Sequence, residues 1–79
     1  MEPPVALPVA AEPKPPRLSP REAEVISLFA AGHSYKSAAD TLGVRIDTVR
    51  FHVRAAYAKL RAHSKAEAVA AAARFGQLR

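Results

Sequence analysis

The sequence predicts an all-α protein, a compact bundle of four helices preceded by a proline-rich segment without fixed structure. Three observations support this prediction. All seven prolines lie at or before position 20, and the remainder of the 79-residue chain has none. Each of the three glycines follows an apolar-periodic segment, at the place where a left-handed residue ends a helix. Serine capping patterns precede three of the four segments.

Residues 1–17 are expected to form a disordered or polyproline-like linker. Proline fixes φ and lacks the N–H group that helices and sheets require, and six of the seven prolines lie here. The alternative interpretation is a ligand for a proline-recognising domain, but proline-rich linkers are commoner. The folded domain is therefore predicted to comprise residues 18–79.

The first two helices are predicted at residues 20–31 and 35–42. Ser19 is placed to cap the first and Ser34 the second, while Gly32 and Gly43 follow their ends. In the first helix the apolar stripe is predicted to comprise Val25, Leu28, Phe29 and Ala30, with Ile26 at its border. In the second helix the predicted inward residues are Ala38, Ala39 and Leu42.

The third helix, predicted at residues 47–61, has an apolar face beside a basic one. The apolar face comprises Val49, Val53, Ala56 and Leu60. The neighbouring face comprises Arg50, Arg54, Tyr57 and Arg61. A solvated charged face is the common explanation of such a pattern. Here, however, a short helix and a glycine turn precede it, which is typical of a helix-turn-helix.

A fourth helix is predicted at residues 65–75.

The positive charge is concentrated on one part of the chain. Residues 45–65 contain six basic residues and one acid, which equals the whole formal excess of +5. A basic stripe on one element is the footprint of a surface that binds a polyanion. Asp47 in the first turn of the third helix interacts favourably with the helix dipole.

Enzyme, metal and membrane functions find no support in the sequence. The chain is too short for a usual catalytic domain, has no cysteine, and spaces His33, His52 and His63 unlike a metal site. We therefore expect no catalytic residues, no metal, no cofactor and no small-molecule ligand. No apolar run approaches the ~18 residues of a membrane span, and there is no signal peptide, so we expect a cytoplasmic protein without a membrane partner.

Short motifs follow one another in a fixed order from Leu18 to Leu78. They read LSPREAEV from Leu18, GHSYK from Gly32, TVRFH from Thr48, KL at Lys59 and EAV at Glu67. Their order and spacing resemble the LuxR/NarL/GerE-type helix-turn-helix DNA-binding domain. Within that family the segment from Asp47 to Arg50, with Tyr57 and Ser64, is similar to effector domains of two-component response regulators.

The resemblance implies sequence-specific binding of double-stranded DNA in transcription regulation, with recognition helix 47–61 in the major groove. It also implies a homodimer on paired half-sites, formed through the fourth helix, and RNA polymerase as a further partner. The implied base contacts are Arg50, Phe51 and Arg54. The implied phosphate contacts are Lys36, Thr48 and Lys59, and we also expect phosphate contacts from Ser34, Arg45, Tyr57 and Arg61. The implied dimer interface comprises Ala68, Ala71, Ala72 and Phe75.

Several alternatives accompany these assignments. Phe51 either meets a thymine methyl group or packs against the start of the second helix. Tyr57 is either an aromatic at the edge of the core or a hydroxyl donor to phosphate. His52, at the edge of the buried stripe, is expected to be a half-buried structural residue. For the whole domain, the alternative function is a protein-binding helical module, such as a polymerase-contacting domain akin to sigma region 4.

The chain departs from the family pattern at two places. Residues 35–39 read YKSAA where the family usually has Asn-Lys-Glu-Ile-Ala, so we expect a broken capping box and a weaker second helix. Arg45 stands where the family usually has a serine, which removes a side-chain cap from the third helix and adds a cation beside the expected phosphates.

Overall fold

The computed structural model describes residues 17–78, and within that range the chain folds into four α-helices and no strand. The bounds differ from those expected from the sequence by at most one residue. The predicted all-α fold is confirmed. The expected linker at residues 1–17 lies outside the described residues except for Arg17. The helices are α1 (Pro20–Ala30), α2 (Tyr35–Leu42), α3 (Ile46–Leu60) and α4 (Lys65–Arg74).

Helix α1 begins and ends with local hydrogen bonds. The Ser19 hydroxyl accepts from the backbone N–H of Glu22 at 3.1 Å, and the Glu22 carboxylate accepts from the N–H of Ser19 at 2.9 Å. Pro20 occupies the first turn, where its missing N–H costs nothing. At the other end, the N–H of His33 donates to the carbonyl of Leu28 at 2.9 Å while Gly32 adopts a φ of 98°. This left-handed glycine closes the helix.

Helix α2 has a complete capping box, so the expectation of a broken one is wrong. The Ser34 hydroxyl accepts from the N–H of Ser37 at 3.0 Å, and the Ser37 hydroxyl accepts from the N–H of Ser34 at 2.9 Å. Ser37 thus does what the usual glutamate does, because its hydroxyl reaches the same N–H group. The weaker stability expected for α2 stays a prediction.

Helices α1 and α3 form the centre of the bundle, and each packs against the other and against both α2 and α4. Val25, Ile26 and Val49 are the largest fully buried side chains. The stripe predicted for α1 is therefore partly wrong: Ile26 is central, Leu28 is half-buried and Ala30 is exposed. Three neighbouring helices turn the buried face of α1 towards Ile26, which the periodicity of one helix could not reveal. The α3 stripe from Val49 to Leu60 is buried as its periodicity predicts.

The turn between α1 and α2 is tied to the start of α4. The Lys65 ammonium lies 4.4 Å from the centre of the Phe29 ring and donates to the carbonyl of His33 at 3.0 Å. The rings of Phe29 and Tyr35 pack with their centres 5.1 Å apart. These contacts hold the start of α2, and with it the turn that leads to α3, against the rest of the bundle.

Candidate nucleic-acid interface

The side of α3 opposite the core is exposed along its whole length. Val49, Val53, Ala56 and Leu60 are buried, whereas Asp47, Arg50, Phe51, Arg54 and Ala58 are exposed. The Phe51 side chain is 68% exposed, so its alternative placement against the start of α2 is wrong. Its only ring partner among the described residues is the neighbouring His52, which is half-buried as expected. The three residues assigned to base contacts thus share one open face.

The two arginines on this face differ in their surroundings. The Arg50 guanidinium donates through Nη1 to Oδ1 of Asp47 at 3.1 Å, and both side chains remain largely exposed, at 55% and 81%. Arg54, one helical turn later, has no salt-bridge partner within residues 17–78. One guanidinium is therefore oriented by the protein and the other is free to follow a ligand.

Several residues assigned to phosphate contacts lie on α2 and on the turn before α3. Ser34 and Lys36 are exposed at the start of α2, although the Ser34 hydroxyl already accepts the capping hydrogen bond from Ser37. Arg45 is exposed at the N-cap of α3 and its side chain makes no capping hydrogen bond, as expected. Thr48 is half-buried in the first turn.

Lys59 has a structural partner that the sequence did not predict. Its ammonium lies 2.8 Å from Oε1 of Glu22, whose side chain is only 8% exposed. Burial raises the pKa of Glu22, but hydrogen bonds from Lys59 and from the N–H of Ser19, with the charge of Lys59, outweigh it and hold the pKa below 4.5. The pair joins α1 to the end of α3. The sequence pattern assigns Glu22 to a capping box. That local role gives no indication of its long-range ion pair with Lys59.

Tyr57 and Arg61 complete the predicted phosphate set. Tyr57 is half-buried, and burial, followed by electrostatic interaction with the neighbouring Tyr35, raises its pKa to about 12. It thus lies at the edge of the core. Arg61 is exposed and ends α3 with a φ of 54°, the one positive φ of a non-glycine residue within the described chain.

The assignment of α4 residues to a dimer interface needs correction. Ala68, Ala71 and Ala72 are buried in the core of the protomer, so these three cannot form a surface for a second copy. The reason is that α4 turns this face towards α1 and α3. Phe75 remains exposed at the end of α4. The residues of α4 that are open to solvent are Ala66, Glu67, Ala70, Ala73 and Arg74.

Across residues 17–78, no three histidine or acidic side chains come together in a way that could hold a metal ion. Over the same range, no helix combines the length and apolar character that crossing a membrane requires.

Comparison with known proteins gives a consistent result. Residues 16–72 match the family model GerE, described as bacterial regulatory proteins of the luxR family. Over 62 residues the chain is 42% identical to the HTH-type transcriptional activator RamA of Corynebacterium glutamicum, covering 78% of this chain and 22% of that protein. Over 43 residues it is 44% identical to the transcriptional activator protein CarR of Pectobacterium carotovorum subsp. carotovorum, covering 54% and 18% respectively.

The fold matches as well as the sequence. The structure of the transcription factor GerE is similar with a TM-score of 0.72 and 29% identity, covering 78% of this chain and 92% of that one. The chain spans about a fifth of the length of the two curated relatives. The family model covers well over half of the chain, with the four helices in the expected order. The chain belongs to the luxR family of bacterial regulatory proteins and contains its GerE-type helix-turn-helix domain.

Proposed function

We propose that this chain binds double-stranded DNA sequence-specifically and regulates transcription, with α3 in the major groove. The observation that carries the proposal is the two-sided character of α3. Its buried stripe from Val49 to Leu60 fixes the helix to the bundle, while Arg50 and Arg54 remain exposed on the other side. A helix held in this way can enter the groove of a duplex without losing its packing contacts with the rest of the bundle.

Base recognition would come from the centre of the exposed face. An arginine can donate two hydrogen bonds to O6 and N7 of guanine, a pairing that discriminates by about 1–3 kcal/mol against a wrong base. We propose Arg50 and Arg54 for this contact because both are exposed on the face of α3 opposite the core. Phe51, one position further round the helix, would meet the methyl group of thymine, the apolar feature of the major groove.

Phosphate contacts would come from both sides of that face. Lys36 at the start of α2 and Arg45 before α3 are exposed cations without a salt-bridge partner within the described range. Each neutralised phosphate adds about 0.9 to the slope of log affinity against log salt concentration. We therefore expect binding to weaken steeply as salt is raised. Lys59 should contribute less than Lys36 or Arg45 because Glu22 already neutralises its charge.

We further propose binding as a homodimer on paired half-sites. The contact would use Phe75 and the open face of α4 rather than the buried alanines. It would place two α3 helices about one turn of DNA apart. Because the curated relatives are several times longer, we propose that this domain acts within a larger cytoplasmic regulator. Its sequence favours the response-regulator type, with RNA polymerase as a further partner.

Selection from duplexes with a randomised central segment tests the proposal. We expect the selected sequences to share paired, guanine-containing half-sites, and we expect anisotropy titrations to give far tighter binding to a selected duplex than to a scrambled one. Arg50→Ala should reduce that difference. If no duplex is enriched and the chain instead captures only protein partners, the protein-binding module akin to sigma region 4 becomes the better explanation.

A further inference from the structure

We propose that Asp47 is a specificity-determining residue, which holds the Arg50 guanidinium in the orientation that reads guanine. By this inference Arg50, and not Arg54, is the arginine that sets the base preference of α3. The inference rests on the proposed function, since it concerns how a DNA-binding face discriminates. It is carried by the hydrogen bond between Arg50 and Asp47 and by the position of Asp47 on the exposed face.

The position of Asp47 is unfavourable for non-specific affinity for DNA. It is the one acid in α3, its side chain is 81% exposed, and helical geometry places it on the same side as Arg50 and Arg54. A carboxylate on that side faces the phosphates of any duplex that α3 enters and repels them. If the face served only to bind a polyanion, a neutral residue here would bind more tightly.

The hydrogen bond indicates what Asp47 contributes instead. Asp47 engages only Nη1 of Arg50, at 3.1 Å. A guanidinium has five N–H donors in a rigid plane, so the remaining donors stay available for the two acceptors of a guanine edge. An arginine already held in one rotamer loses less conformational freedom when it binds, and a wrongly placed acceptor cannot be met by a small rotation. Orientation by Asp47 thus favours guanine over other partners of Arg50.

Arg54 provides the internal comparison. It lies on the same face one turn later, yet no acid within residues 17–78 pairs with it. Its guanidinium can rotate to meet a base or a phosphate. The two arginines of α3 therefore have different roles, although they are the same residue type and lie on the same face of the helix.

A purely local role for Asp47 makes a different prediction. Arg45, the N-cap of α3, makes no side-chain capping hydrogen bond, and an acid in the first turn stabilises such a helix end through the dipole. That role affects the free energy of unfolding. It does not alter the ratio between affinities for two duplexes that the same folded protein binds.

The test compares base preference in the full chain and in variants. Selection from randomised duplexes identifies the preferred site of the wild type, and titrations then use that site, the site with its guanine replaced, and a scrambled duplex. We expect Asp47→Ala to bind the scrambled duplex about twofold to fivefold more tightly, because one repelling charge is removed. We expect it to discriminate about tenfold less between guanine and the replaced base, because Arg50 is no longer held.

Two further variants separate charge from orientation. Asp47→Asn keeps an acceptor for Arg50 and removes the charge, so it should bind the scrambled duplex more tightly while retaining more of the guanine preference than Asp47→Ala. Glu24→Ala is the matched control: Glu24 pairs with Arg21 in the same i, i+3 arrangement at 3.6 Å, but on α1. It changes the net charge equally and should leave the discrimination unaltered. Thermal unfolding of each variant shows that the compared proteins are folded.

The outcomes distinguish the inference from the function on which it rests. If the wild type selects no sequence, the proposed function fails. If the wild type discriminates and Asp47→Ala discriminates equally well, Asp47 serves only the helix end and the inference is overturned. If Arg54→Ala, rather than Arg50→Ala, removes the guanine preference, the assignment of roles to the two arginines is likewise overturned.

Discussion

Helix α3 contributes the basic residue to each of two ion pairs, and the two pairs lie in contrasting environments. Near its start, Arg50 pairs with Asp47, and both side chains are largely exposed. At its end, Lys59 pairs with Glu22 of α1, whose carboxylate is almost entirely buried. The nitrogen–oxygen distances of the two pairs are similar, at 3.1 and 2.8 Å. The pairs differ in burial, and therefore in whether they serve binding or stability. An exposed pair adds little stability and leaves its arginine accessible, whereas a buried carboxylate depends on its partner.

The contrast predicts that removing Lys59 has the largest effect on stability. Lys59→Met leaves the Glu22 carboxylate buried without its cationic partner, and we expect a loss of about 1–3 kcal/mol in the free energy of unfolding. Urea titration measures this loss. Lys36→Met, at an exposed lysine without a salt bridge in the described range, is the control and should change stability by less than about 0.5 kcal/mol. Equal effects of the two variants would falsify the structural role of Lys59.

Removing Arg50 should change stability little and base discrimination strongly. Arg50→Ala breaks an exposed pair, so we expect a change of at most about 1 kcal/mol in stability. Affinity for the selected duplex should fall by about 1–3 kcal/mol relative to a duplex with the guanine replaced. Anisotropy titration with the two duplexes measures this difference. A large loss of stability with unchanged discrimination would instead make Arg50 a structural residue like Lys59.

The dependence of stability on pH sharpens the comparison further. The pKa of Glu22 is lowered from 4.5 in the fold, so its ion pair stabilises the protein fully above that pH. The contribution is lost as the pH falls through the folded-state pKa, because the carboxylate must then be protonated. We expect Glu22→Gln to flatten the loss of stability below pH 4.5, as measured by thermal unfolding across the acid range. A variant with the same acid profile as the wild type would show that Glu22 contributes nothing to it.

The smallest predicted effect concerns Arg61, at the end of the same helix. Glycines with positive φ follow the other three helices, whereas α3 ends at Arg61 with a φ of 54°. A side chain in this conformation costs roughly 1 kcal/mol, and the loss of a cation at the helix end offsets part of the gain from glycine. We expect Arg61→Gly to raise the free energy of unfolding by about 0.5 kcal/mol and to weaken binding to all duplexes alike. Destabilisation would show that the cation outweighs the strain.

Local features of the fold were predictable because local interactions determine them. The caps at Ser19 and Ser64 and the glycines that follow α1, α2 and α4 act within a few residues of the chain, and the sequence patterns are specific. Ser34 was predicted as the cap of α2, but the second half of its capping box was missed because Ser37 replaces the usual acid in the same geometry. The exposed face of α3 followed from its periodicity, and Phe51 lies on it.

Features that depend on several helices were not predictable. The position of Ile26 at the centre of the core depends on how α2, α3 and α4 surround α1. The burial of Ala68, Ala71 and Ala72 in the protomer has the same origin, since small residues suit a close contact within a chain as well as one between chains. Glu22 and Lys59 are 37 positions apart in the sequence, and only the packing of α1 on α3 brings them together.

The sequence by itself therefore determined the number, order and ends of the helices, and the concentration of positive charge on α3. Hydrogen bonds and side-chain periodicity within one helix suffice for these features. The tertiary structure decided which of the charges on α3 remain available to a ligand. A charge is neutralised by whatever lies next to it in space: Glu22 of another helix holds Lys59, Asp47 orients Arg50, and Arg54 is left unpaired within the described residues.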